Sequence, residues 1–350
     1  MNIKRRKSKT IRVGNLIIGG GYPVSIQSMI KIKTESTGQV IGEINKLDQA
    51  GCQIVRLAVK DMSDALAIKK IKPKVRLPIV ADIHFDYRLA LKAIDSGADK
   101  IRLNPGNINK LDQIKEVVAA MKACHIPLRV GLNSGSVKDQ GSSKLAMPDK
   151  LVKSALSYIK ILENLRFNDI VISLKASNVL DTVTAYKKIS RLCDYPMHLG
   201  VTATGSPFSG AIKTSIAIGA LLLEGIGDTI RVSLTDTSVC EVLAAKAILE
   251  SLELRKFGHS IISCPTCGRC EVDLVKLVKN FENKVSLIPT DHPKSIALMG
   301  CVVNGPGEAK EADIGIAFGK KDGLLFKNGK AARKVSYTDC LGVLLKELDK

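Results

Sequence analysis

The sequence predicts an α/β protein in which an N-terminal (β/α)8 barrel of the TIM type is followed by a small α+β domain. Three observations favour this fold class. Eight β-type segments alternate with helix-like segments over the first 258 residues, and successive β-type segments begin 22 to 42 residues apart. Residues 259–350 break this alternation and carry a hairpin signal of their own. We therefore expect a barrel at 1–258 and a second domain at 259–350.

The eight predicted strands of the barrel mostly begin after a Pro, Gly-Cys or Gly-Ala-Asp breaker, where a preceding helix should end. They are VSIQSM (24–29), QIVRLAV (53–59), PIVADIH (78–84), KIRLNPG (100–106), PLRVGLN (127–133), DIVISLKAS (169–177), MHLGVTATG (197–205) and TIRVSLT (229–235). The segments between them place apolar residues at i, i+3 and i+4, which predicts helices, for example at 63–72, 88–97, 109–125 and 151–165. An open doubly wound sheet is the alternative. No GxGxxG motif follows the first strand, so a dinucleotide-binding Rossmann domain lacks its phosphate-binding turn.

The second domain is predicted from shorter signals. Strands are expected at 259–263, 295–300 and 313–318, and helices at 271–284 and 338–350. The dipeptide Asn328-Gly329 predicts a β-hairpin turn after the third of these strands. Mixed strands and helices of this size are typical of a small α+β domain.

Composition limits the class of protein. With 45% hydrophobic residues in 350, the chain has enough apolar side chains for a buried core, which argues against global disorder. It has no run of 18 uncharged apolar residues, and its N-terminus lacks the apolar region of a secretory signal. We therefore expect a cytoplasmic protein that does not enter a membrane, whose nine cysteines do not form a disulfide framework.

The chain is strongly basic, with 53 Lys and Arg against 34 Asp and Glu and a net charge of +19. Six of the positive charges fall in the first twelve residues, which we expect to form a solvated, partly frayed tail. Such a charge invites a nucleic-acid interpretation. However, aromatic residues make up only 4% of the chain and Trp is absent, so no stacking platform for bases is visible. Nucleic acid is therefore not an expected partner.

Polar residues cluster near the carboxyl ends of the predicted barrel strands, where barrel enzymes carry their chemistry. Five of them are cations within otherwise apolar strands: Arg56, Arg102, Arg129, Lys175 and Arg231. Burying cations is costly unless they meet an anion, and the strands supply only Asp82. This shortage favours a phosphate or diphosphate ligand over structural ion pairs or surface positions, because guanidinium groups bind phosphate in bidentate geometry. His84, Asn133 and Ser233 lie at the same strand ends.

A segment rich in Gly and Ser, residues 133–148, follows the fifth predicted strand and has no helical or strand periodicity. A long loop on the catalytic face of a barrel can act as a lid over the site. A flexible insertion without function is the alternative.

Cysteines of the second domain have the spacing of a metal or cluster site. Cys264, Cys267 and Cys270 are each separated by two residues, and Cys301 and Glu308 follow in GCVVNGPGE. Soft ligands in this pattern suit either tetrahedral zinc or a [4Fe–4S] cluster. Iron–sulfur is favoured, because the distal element holds one Cys and no His, and its glycines let backbone amides approach a sulfide-rich anion. The remaining cysteines are interpreted as small buried hydrophobic residues: Cys52, Cys124, Cys193, Cys240 and Cys340.

The motifs SCPTC and GCVVNGPGE, in this order and spacing, resemble those of the 4-hydroxy-3-methylbut-2-en-1-yl diphosphate synthase family (IspG/GcpE) of the non-mevalonate isoprenoid pathway, in its short bacterial form. The first domain shares further motifs with that family: IQSM, DIHF, IRLNPGN, RVGLNSGS, KAS, HLGVT and IRVSLT. The resemblance covers essentially the whole chain, and GCVVNGPGE is its most specific motif. It implies a (β/α)8 barrel followed by an α+β domain that carries a [4Fe–4S] cluster.

The resemblance also implies site residues. The cluster ligands would be Cys264, Cys267 and Cys301, with Glu308 as an exchangeable fourth ligand and a candidate proton donor. An exchangeable carboxylate would leave one iron accessible to a substrate oxygen, whereas a fourth thiolate would seal it. The substrate would bind at the barrel mouth through eight polar residues of the strand ends. Its diphosphate would lie on six basic residues: Arg56, His84, Arg102, Arg129, Lys175 and Arg231. Asn133 and Ser233 would add neutral hydrogen bonds.

The activity that the resemblance implies is the reductive ring opening and dehydration of 2-C-methyl-D-erythritol 2,4-cyclodiphosphate to 4-hydroxy-3-methylbut-2-enyl diphosphate. Its electrons would come from flavodoxin or ferredoxin, both acidic carriers that a basic surface attracts. The resemblance further implies a homodimer in which the cluster domain of one subunit caps the barrel of the other. The linker near 255–260 would then be the hinge for closure.

Two positions depart from the family pattern. Cys270 stands where the family usually has another residue, and we expect it to be free or to lie beside the cluster. Ala203 stands where the family usually has Glu in HLGVTEAG, so no role of that carboxylate is carried over to this chain. Two interpretations from other classes also remain: a zinc-containing phosphosugar lyase or isomerase on a barrel, and a basic RNA-binding protein with a structural zinc domain.

Overall fold

The computed structural model describes residues 3–136, 145–202, 205–285, 288, 290 and 292–348. The chain divides into two compact units, Met1–Arg255 and Lys256–Lys350. The larger unit is an α/β barrel and the smaller one is an α+β domain, so the predicted fold class is confirmed.

A short N-terminal hairpin precedes the barrel. It consists of β1 (Ile11–Val13) and β2 (Leu16–Ile18), which pair antiparallel through a two-residue turn at Gly14-Asn15. Its buried side chains pack against apolar residues near the beginnings of three barrel strands, namely Ile54, Val80 and Val171. The hairpin therefore covers the end of the barrel at which the strands begin.

The expectation of a frayed N-terminal tail is wrong for the residues that follow Met1 and Asn2. Arg5 donates a hydrogen bond from Nη2 to the carbonyl oxygen of Gly227 at 2.7 Å, and Arg6 donates one from Nη1 to that of Cys193 at 2.8 Å. The backbone N–H of Arg6 also donates to Gly225. The basic run is held because loop carbonyls of the barrel accept from its guanidinium groups.

Eight parallel strands form the barrel. They are β3 (Ser25–Met29), β4 (Ile54–Val59), β5 (Ile79–Ile83), β6 (Lys100–Leu103), β7 (Leu128–Asn133), β8 (Ile170–Lys175), β9 (His198–Leu199) and β10 (Thr229–Ile230). The sheet order is β8-β7-β6-β5-β4-β3-β10-β9, and a parallel bridge between Ile172 and Met197 joins its two ends. All eight predicted strands are confirmed in position and order.

The last two barrel strands are much shorter than predicted. Their ladder ends beside Gly200, where an added Cβ would lie 2.8 Å from the carbonyl oxygen of Arg231 and 2.7 Å from Nζ of Lys175. Only a residue without a side chain fits this close approach, and the chain leaves the sheet there. Ala203 and Thr204, like residues 137–144 of the predicted lid, lie outside the described residues.

The helices of the barrel unit alternate with the strands. They are α1 (Thr37–Gln49), α2 (Met62–Ile71), α3 (Tyr87–Asp95), α4 (Leu111–Ala123), α5 (Met147–Asn164), α6 (Val179–Ser190), α7 (Pro207–Leu223) and α8 (Ser238–Ser251). Several begin at a side-chain cap: Asp61, Asp86, Asn178 and Thr237 each accept a hydrogen bond from a backbone N–H of the first turn. These helices confirm the four segments that the sequence pattern predicts as examples.

The smaller unit is a five-stranded sheet with helices on both faces. Its elements are β11 (Ser260–Ser263), α9 (Leu274–Val285), β12 (Ser295–Met299), α10 (Gly305–Glu311), β13 (Ile314–Phe318), β14 (Asp322–Lys327), β15 (Lys330–Ser336) and α11 (Cys340–Leu348). Strands β11, β12 and β13 are parallel, whereas β14 and β15 are antiparallel additions. Asn328 and Gly329 both have positive φ, as the predicted hairpin turn requires.

Two apolar cores hold the smaller sheet. On one face, Leu277 and Phe281 of α9 and Leu344 of α11 pack against Ile316 and Leu325. The other face is covered by α10, whose Ala309 belongs to a cluster with Met299 and Phe326. The helix α10 was not expected from the sequence, because the GCVVNGPGE run in which it begins is rich in glycine.

Candidate functional site

A cavity of about 320 Å³ opens at the carboxyl ends of the barrel strands. All eight polar residues that the resemblance assigns to substrate line it: Arg56, His84, Arg102, Arg129, Asn133, Lys175, Arg231 and Ser233. They come from six different strands or the residues just after them. The barrel therefore gathers side chains that are up to 177 positions apart in the sequence.

One carboxylate organises two of the arginines. Arg102 donates from Nη1 to Oδ1 of Asp82 at 3.0 Å and from Nη2 to the carbonyl oxygen of Gly131 at 2.9 Å. Nε of Arg56 lies 3.6 Å from Oδ2 of Asp82. A Cβ on Gly131 would be 2.6 Å from Nε of Arg102, so the guanidinium needs a glycine on the neighbouring strand. These contacts fix both arginines at the cavity wall.

The electrostatics of Asp82 follow from this arrangement. Burial alone would raise the pKa of its carboxyl group, but Arg56, Arg102 and Arg129 together lower it to about 2. Asp82 is therefore ionised at neutral pH and offsets part of the positive charge in the cavity.

A second acid, Glu241 at the beginning of α8, was missed in the sequence analysis. It is 2% exposed, and its carboxylate lies 3.7 Å from Nη2 of Arg231 and 2.9 Å from Nζ of Lys31. Its Oε1 also accepts the backbone N–H of Leu234 at 3.0 Å. A signal was present, because Glu241 precedes Ala245 and Leu249 at helical spacing and so falls on the buried face of α8.

Two cations at the cavity have no acidic partner in the described part of the chain. These are Arg129 and Lys175, which are 1% and 7% exposed. Burial, reinforced by neighbouring cations, lowers the pKa of each well below its ordinary value. Keeping these two side chains charged inside the barrel therefore costs free energy that no ion pair with a carboxylate offsets among the described residues.

Several lining residues were not assigned to the site from the sequence: Met29, Asp82, Asn104, Asn107, Gly131, Ser173, Val201 and Thr202. Asn104 shapes the loop after β6, because its Oδ1 accepts the backbone N–H of Gly106 at 3.1 Å. Most of them could have been assigned to the site from the sequence, because they lie at or near the carboxyl ends of predicted strands.

Four cysteines of the smaller unit lie at the edge of its sheet where β11 and β12 end: Cys264, Cys267, Cys270 and Cys301. Cys264 directly follows β11, and Cys301 comes two residues after β12, its parallel neighbour. The backbone N–H of Gly300 donates to Sγ of Cys264 at 3.3 Å. Sγ of Cys270 also packs beside Gly300, since a Cβ there would be 2.3 Å away. Cys267, by contrast, is exposed.

Backbone amides favour thiolates at this edge. Hydrogen bonds from Asn304, Val303 and Gly305 lower the pKa of Cys301, and those from Arg269 lower the pKa of Cys267. Across the described ranges, no group of three His, Cys, Asp or Glu side chains is placed to hold a single metal ion. Glu308 is an exposed residue in the first turn of α10.

The comparisons with known proteins now bear on both units. The model of the GcpE TIM-barrel domain matches residues 8–246, and that of the GcpE protein C-terminal domain matches residues 260–350. The chain belongs to the GcpE family. The resemblance drawn from the sequence motifs is confirmed.

Curated GcpE relatives match this chain over nearly their whole length. A protein of Caldicellulosiruptor saccharolyticus is 51% identical over 343 residues, which cover 97% of this chain and 98% of the relative. One of Fusobacterium nucleatum subsp. nucleatum is 51% identical over 347 residues, covering 99% and 96%. Both are named 4-hydroxy-3-methylbut-2-en-1-yl diphosphate synthase (flavodoxin).

Among solved structures, the GcpE barrel is similar to 7,8-dihydropteroate synthase from Vibrio fischeri ES114. The TM-score is 0.51 at 11% identity, over 71% of this chain and all of the other. At this identity the likeness concerns the fold alone. In the GcpE chain, none of the described helices is both long and apolar enough to cross a bilayer.

The other cysteines of this GcpE chain differ in burial. Cys52 and Cys340 are buried, and burial raises the pKa of each thiol to about 12, as expected for inert core residues. Cys193 and Cys240 are half-buried. The expectation is wrong for Cys124, which is exposed because it ends α4 at the surface.

Proposed function

We propose that this chain catalyses the reductive ring opening and dehydration of 2-C-methyl-D-erythritol 2,4-cyclodiphosphate to 4-hydroxy-3-methylbut-2-enyl diphosphate. The observation that carries the proposal is the cavity at the barrel mouth, where five buried or half-buried cations face two carboxylates. A compact dianion or trianion offsets such an excess, and the relatives' name specifies a diphosphate product. The reaction takes up two electrons and a proton. The bond between C2 and its ring oxygen breaks, that oxygen stays on the diphosphate, and the C3 hydroxyl group leaves as water.

The cations would bind the diphosphate in two ways. Arg56 and Arg102 are already oriented by Asp82, so their remaining N–H groups can meet phosphate oxygens at little entropic cost. Arg129 and Lys175 lack acidic partners among the described residues and would gain the most from the ligand. Asn133 and Ser233 would add neutral hydrogen bonds to the sugar-derived part of the substrate.

We assign a [4Fe–4S] cluster to the smaller unit, held by Cys264, Cys267 and Cys301 with Glu308 as the fourth ligand. The ligands of such a cluster each bind a different iron, so they need to share an edge of the fold rather than meet at one point. Thiols at neighbouring strand ends, with amide donors from Gly300 and the loop after Cys301, suit this group. A reduced cluster would supply electrons and a Lewis-acidic iron to the substrate.

Glu308, the proposed fourth ligand of the cluster, would also act as a proton donor. Glu308 is exposed on a short helix and is therefore accessible to a proton from solvent. As a displaceable carboxylate it would deliver a proton to the departing oxygen, which leaves as water.

The electron donor would be flavodoxin or another small acidic carrier. Residues 320–346 contain seven Lys or Arg and two Asp. Lys320, Lys321, Arg333 and Lys334 of this segment are all exposed. The turn before β14 lies at the cysteine edge of the sheet, because a Cβ on Gly319 would be 3.3 Å from Val302, next to Cys301. A basic surface beside the cluster ligands suits an acidic partner.

We further propose a homodimer in the cytoplasm, with each active site shared between the barrel of one chain and the cluster unit of another. The test mixes two inactive variants, Lys175→Met in the barrel and Cys301→Ser in the cluster unit. Recovered activity in the mixture supports sharing. Activity that stays absent while mixed dimers form contradicts it.

The proposed activity is tested by anaerobic turnover of the cyclodiphosphate with a chemical reductant by the iron-loaded chain. We expect product from the wild type and none from Lys175→Met or Cys301→Ser. An iron-loaded wild type that leaves the cyclodiphosphate intact would overturn the proposal. Brown colour and sulfide-to-iron charge-transfer absorbance distinguish the cluster from the zinc alternative.

A further inference from the structure

Lys100 is a buried cation that the proposed chemistry does not use. It begins β6, two residues before Arg102, and it is absent from the cavity lining. Its side chain is 0% exposed, and Nζ has no hydrogen-bond partner in the described part of the chain. Fully buried, unpaired lysines are rare, because removing an ammonium group from water is costly.

The surroundings of Lys100 are apolar below and cationic above. Its register partner on β5 is Val80, which belongs to the apolar cluster under the N-terminal hairpin. Towards the cavity, Arg129 on β7 and Arg56 on β4 are the charged groups that act on it. Lys100 in turn acts on His198 of β9, which is also fully buried and leaves Nε2 without a partner among the described residues.

The carboxylates near the cavity are already engaged. Asp82 pairs with Arg56 and Arg102, and Glu241 pairs with Arg231 and Lys31. Lys175 on β8, which lines the cavity, is a further like charge in the barrel interior. Burial first, and then Arg129 and Arg56, lower the pKa of Lys100 to about 7. The free protein therefore holds this amine poised between its neutral and charged forms.

An anion in the cavity would change this balance. Phosphate oxygens bound to Arg129 and Arg56 would bring negative charge close to the two groups that disfavour the ammonium form of Lys100. Inside a barrel, where the dielectric constant is low, such charges act over longer distances than in water. The ligand would thus favour protonation of an amine that it does not touch.

We propose that Lys100 takes up a proton from solvent when a diphosphate binds in the cavity above it. The inference rests on the proposed function, since it requires a diphosphate at that site. The neutral amine gains one proton from the buffer and becomes an ammonium, and no other bond changes. Above the pKa of the free protein, Lys100 thereby contributes a positive charge mainly while the anion is present, which limits repulsion among cations in the free barrel.

The pH dependence of affinity has a definite sign. Below the pKa of the free protein, Lys100 is charged with or without ligand, so binding is tightest and takes up no proton at this residue. Above it, each binding event must charge Lys100, and affinity falls by up to about tenfold per pH unit. The fall ends once pH exceeds the pKa of the complex.

The test is calorimetric titration of the full chain with inorganic pyrophosphate at about pH 8, in two buffers of different ionisation enthalpy. The dependence of the heat on the buffer counts the protons taken up. We expect Lys100→Met to take up fewer protons than the wild type, by an amount approaching about one per site. Lys160→Met, an exposed control on α5, should match the wild type. Lys175 and pyrophosphate can also take up protons on binding. This uptake is common to the wild type and both variants, so it cancels when the proton counts of the variants are subtracted from that of the wild type.

Equal uptake by Lys100→Met and the wild type would overturn the inference and leave the diphosphate site standing. A wild type that fails to bind pyrophosphate would overturn the diphosphate site, and this inference with it. A second variant, Lys100→Arg, separates charge from structure, because a guanidinium does not lose its proton. It should lose the uptake yet keep its affinity as pH rises, and an unchanged uptake in this variant would equally sink the proposal.

Discussion

Asp82 accepts a hydrogen bond from Arg102 at 3.0 Å while it also lies 3.6 Å from Arg56, so one carboxylate holds two guanidinium groups at the cavity wall. Asp82 is 4% exposed. Both arginines thus depend on a single buried acid, and a ligand that bridges them would take over part of its role. The cations of the cavity therefore fall into two groups. Some are oriented by a carboxylate of the protein, and the others have no carboxylate partner among the described residues.

Replacing Asp82 with Asn should destabilise the free protein, because two buried guanidinium groups lose their counter-charge. Breaking a buried ion pair from one side costs about 3–5 kcal/mol. Pyrophosphate should restore part of the loss, so its stabilising effect on the melting temperature should be larger in Asp82→Asn than in the wild type. Asp112→Asn, an exposed acid on α4, is the control and should behave as the wild type. Equal ligand effects in all three proteins would contradict this prediction.

Replacing Lys100 with Met should stabilise the barrel, and the gain should depend on pH. The folded-state pKa of about 7 lies below the usual value near 10.4, so the unfolded chain binds more protons in that range. The penalty for burying Lys100 is therefore fully present below about pH 7 and relieved by about 1.4 kcal/mol per pH unit above it. The advantage of Lys100→Met should accordingly be greatest near neutral pH and shrink as pH rises towards 10.

Hydrogen exchange of the peptide that contains β6 measures this free energy of unfolding in the barrel itself, which matters because the chain has two units. Lys160→Met provides the matched surface control. A constant difference between Lys100→Met and the wild type across this pH range would rule out the titration of Lys100.

Much of the barrel was predictable because local sequence patterns indicate where its strands lie. Most begin after a helix breaker and are rich in Val, Ile and Leu, as buried parallel strands are. The ends of β9 and β10 were not predictable, because their pairing stops where Gly200 meets the backbone of another strand. The N-terminal hairpin was missed although its Gly14-Asn15 turn is a valid signal. The basic run before it suggested a solvated tail, and only the folded barrel supplies the carbonyls that bind Arg5 and Arg6.

Site residues were predictable where a charged side chain stands in an otherwise apolar segment of the sequence. Arginines in apolar strands pointed to an anion, and all of those assigned line one cavity. The pairing of Glu241 with Arg231 depends on a helix folding back onto the strand before it, which no local pattern states. The same holds for Lys100, because a lysine at the start of a strand faces solvent in many sheets and is buried in this protein by closure of the barrel.

Two cysteines should respond differently to replacement by Ser. We expect Cys301→Ser to lose iron, because this residue is an assigned ligand beside several amide donors. Cys270→Ser should keep its iron, since this thiol donates to the carbonyl oxygen of Val272 at 3.2 Å and packs against Gly300. Iron content and visible absorbance after anaerobic reconstitution provide the measurement. Loss of iron in Cys270→Ser would show that the assigned ligand set is wrong.

Reversing charge on the basic segment should slow reduction by an acidic carrier without affecting the chemistry. We expect the double variant Lys320→Glu/Lys321→Glu to lower the rate with flavodoxin about tenfold or more at low salt, because electrostatic steering raises association rates by one to three orders of magnitude. The difference should fade as salt screens the charges, since the Debye length falls to about 3 Å at 1 M. Lys279→Glu on α9 carries an exposed reversal outside this segment and should retain the wild-type rate. With a small chemical reductant all three proteins should turn over equally. A double variant that is equally slow with both reductants would mean that these lysines support the site itself, and that the carrier docks elsewhere.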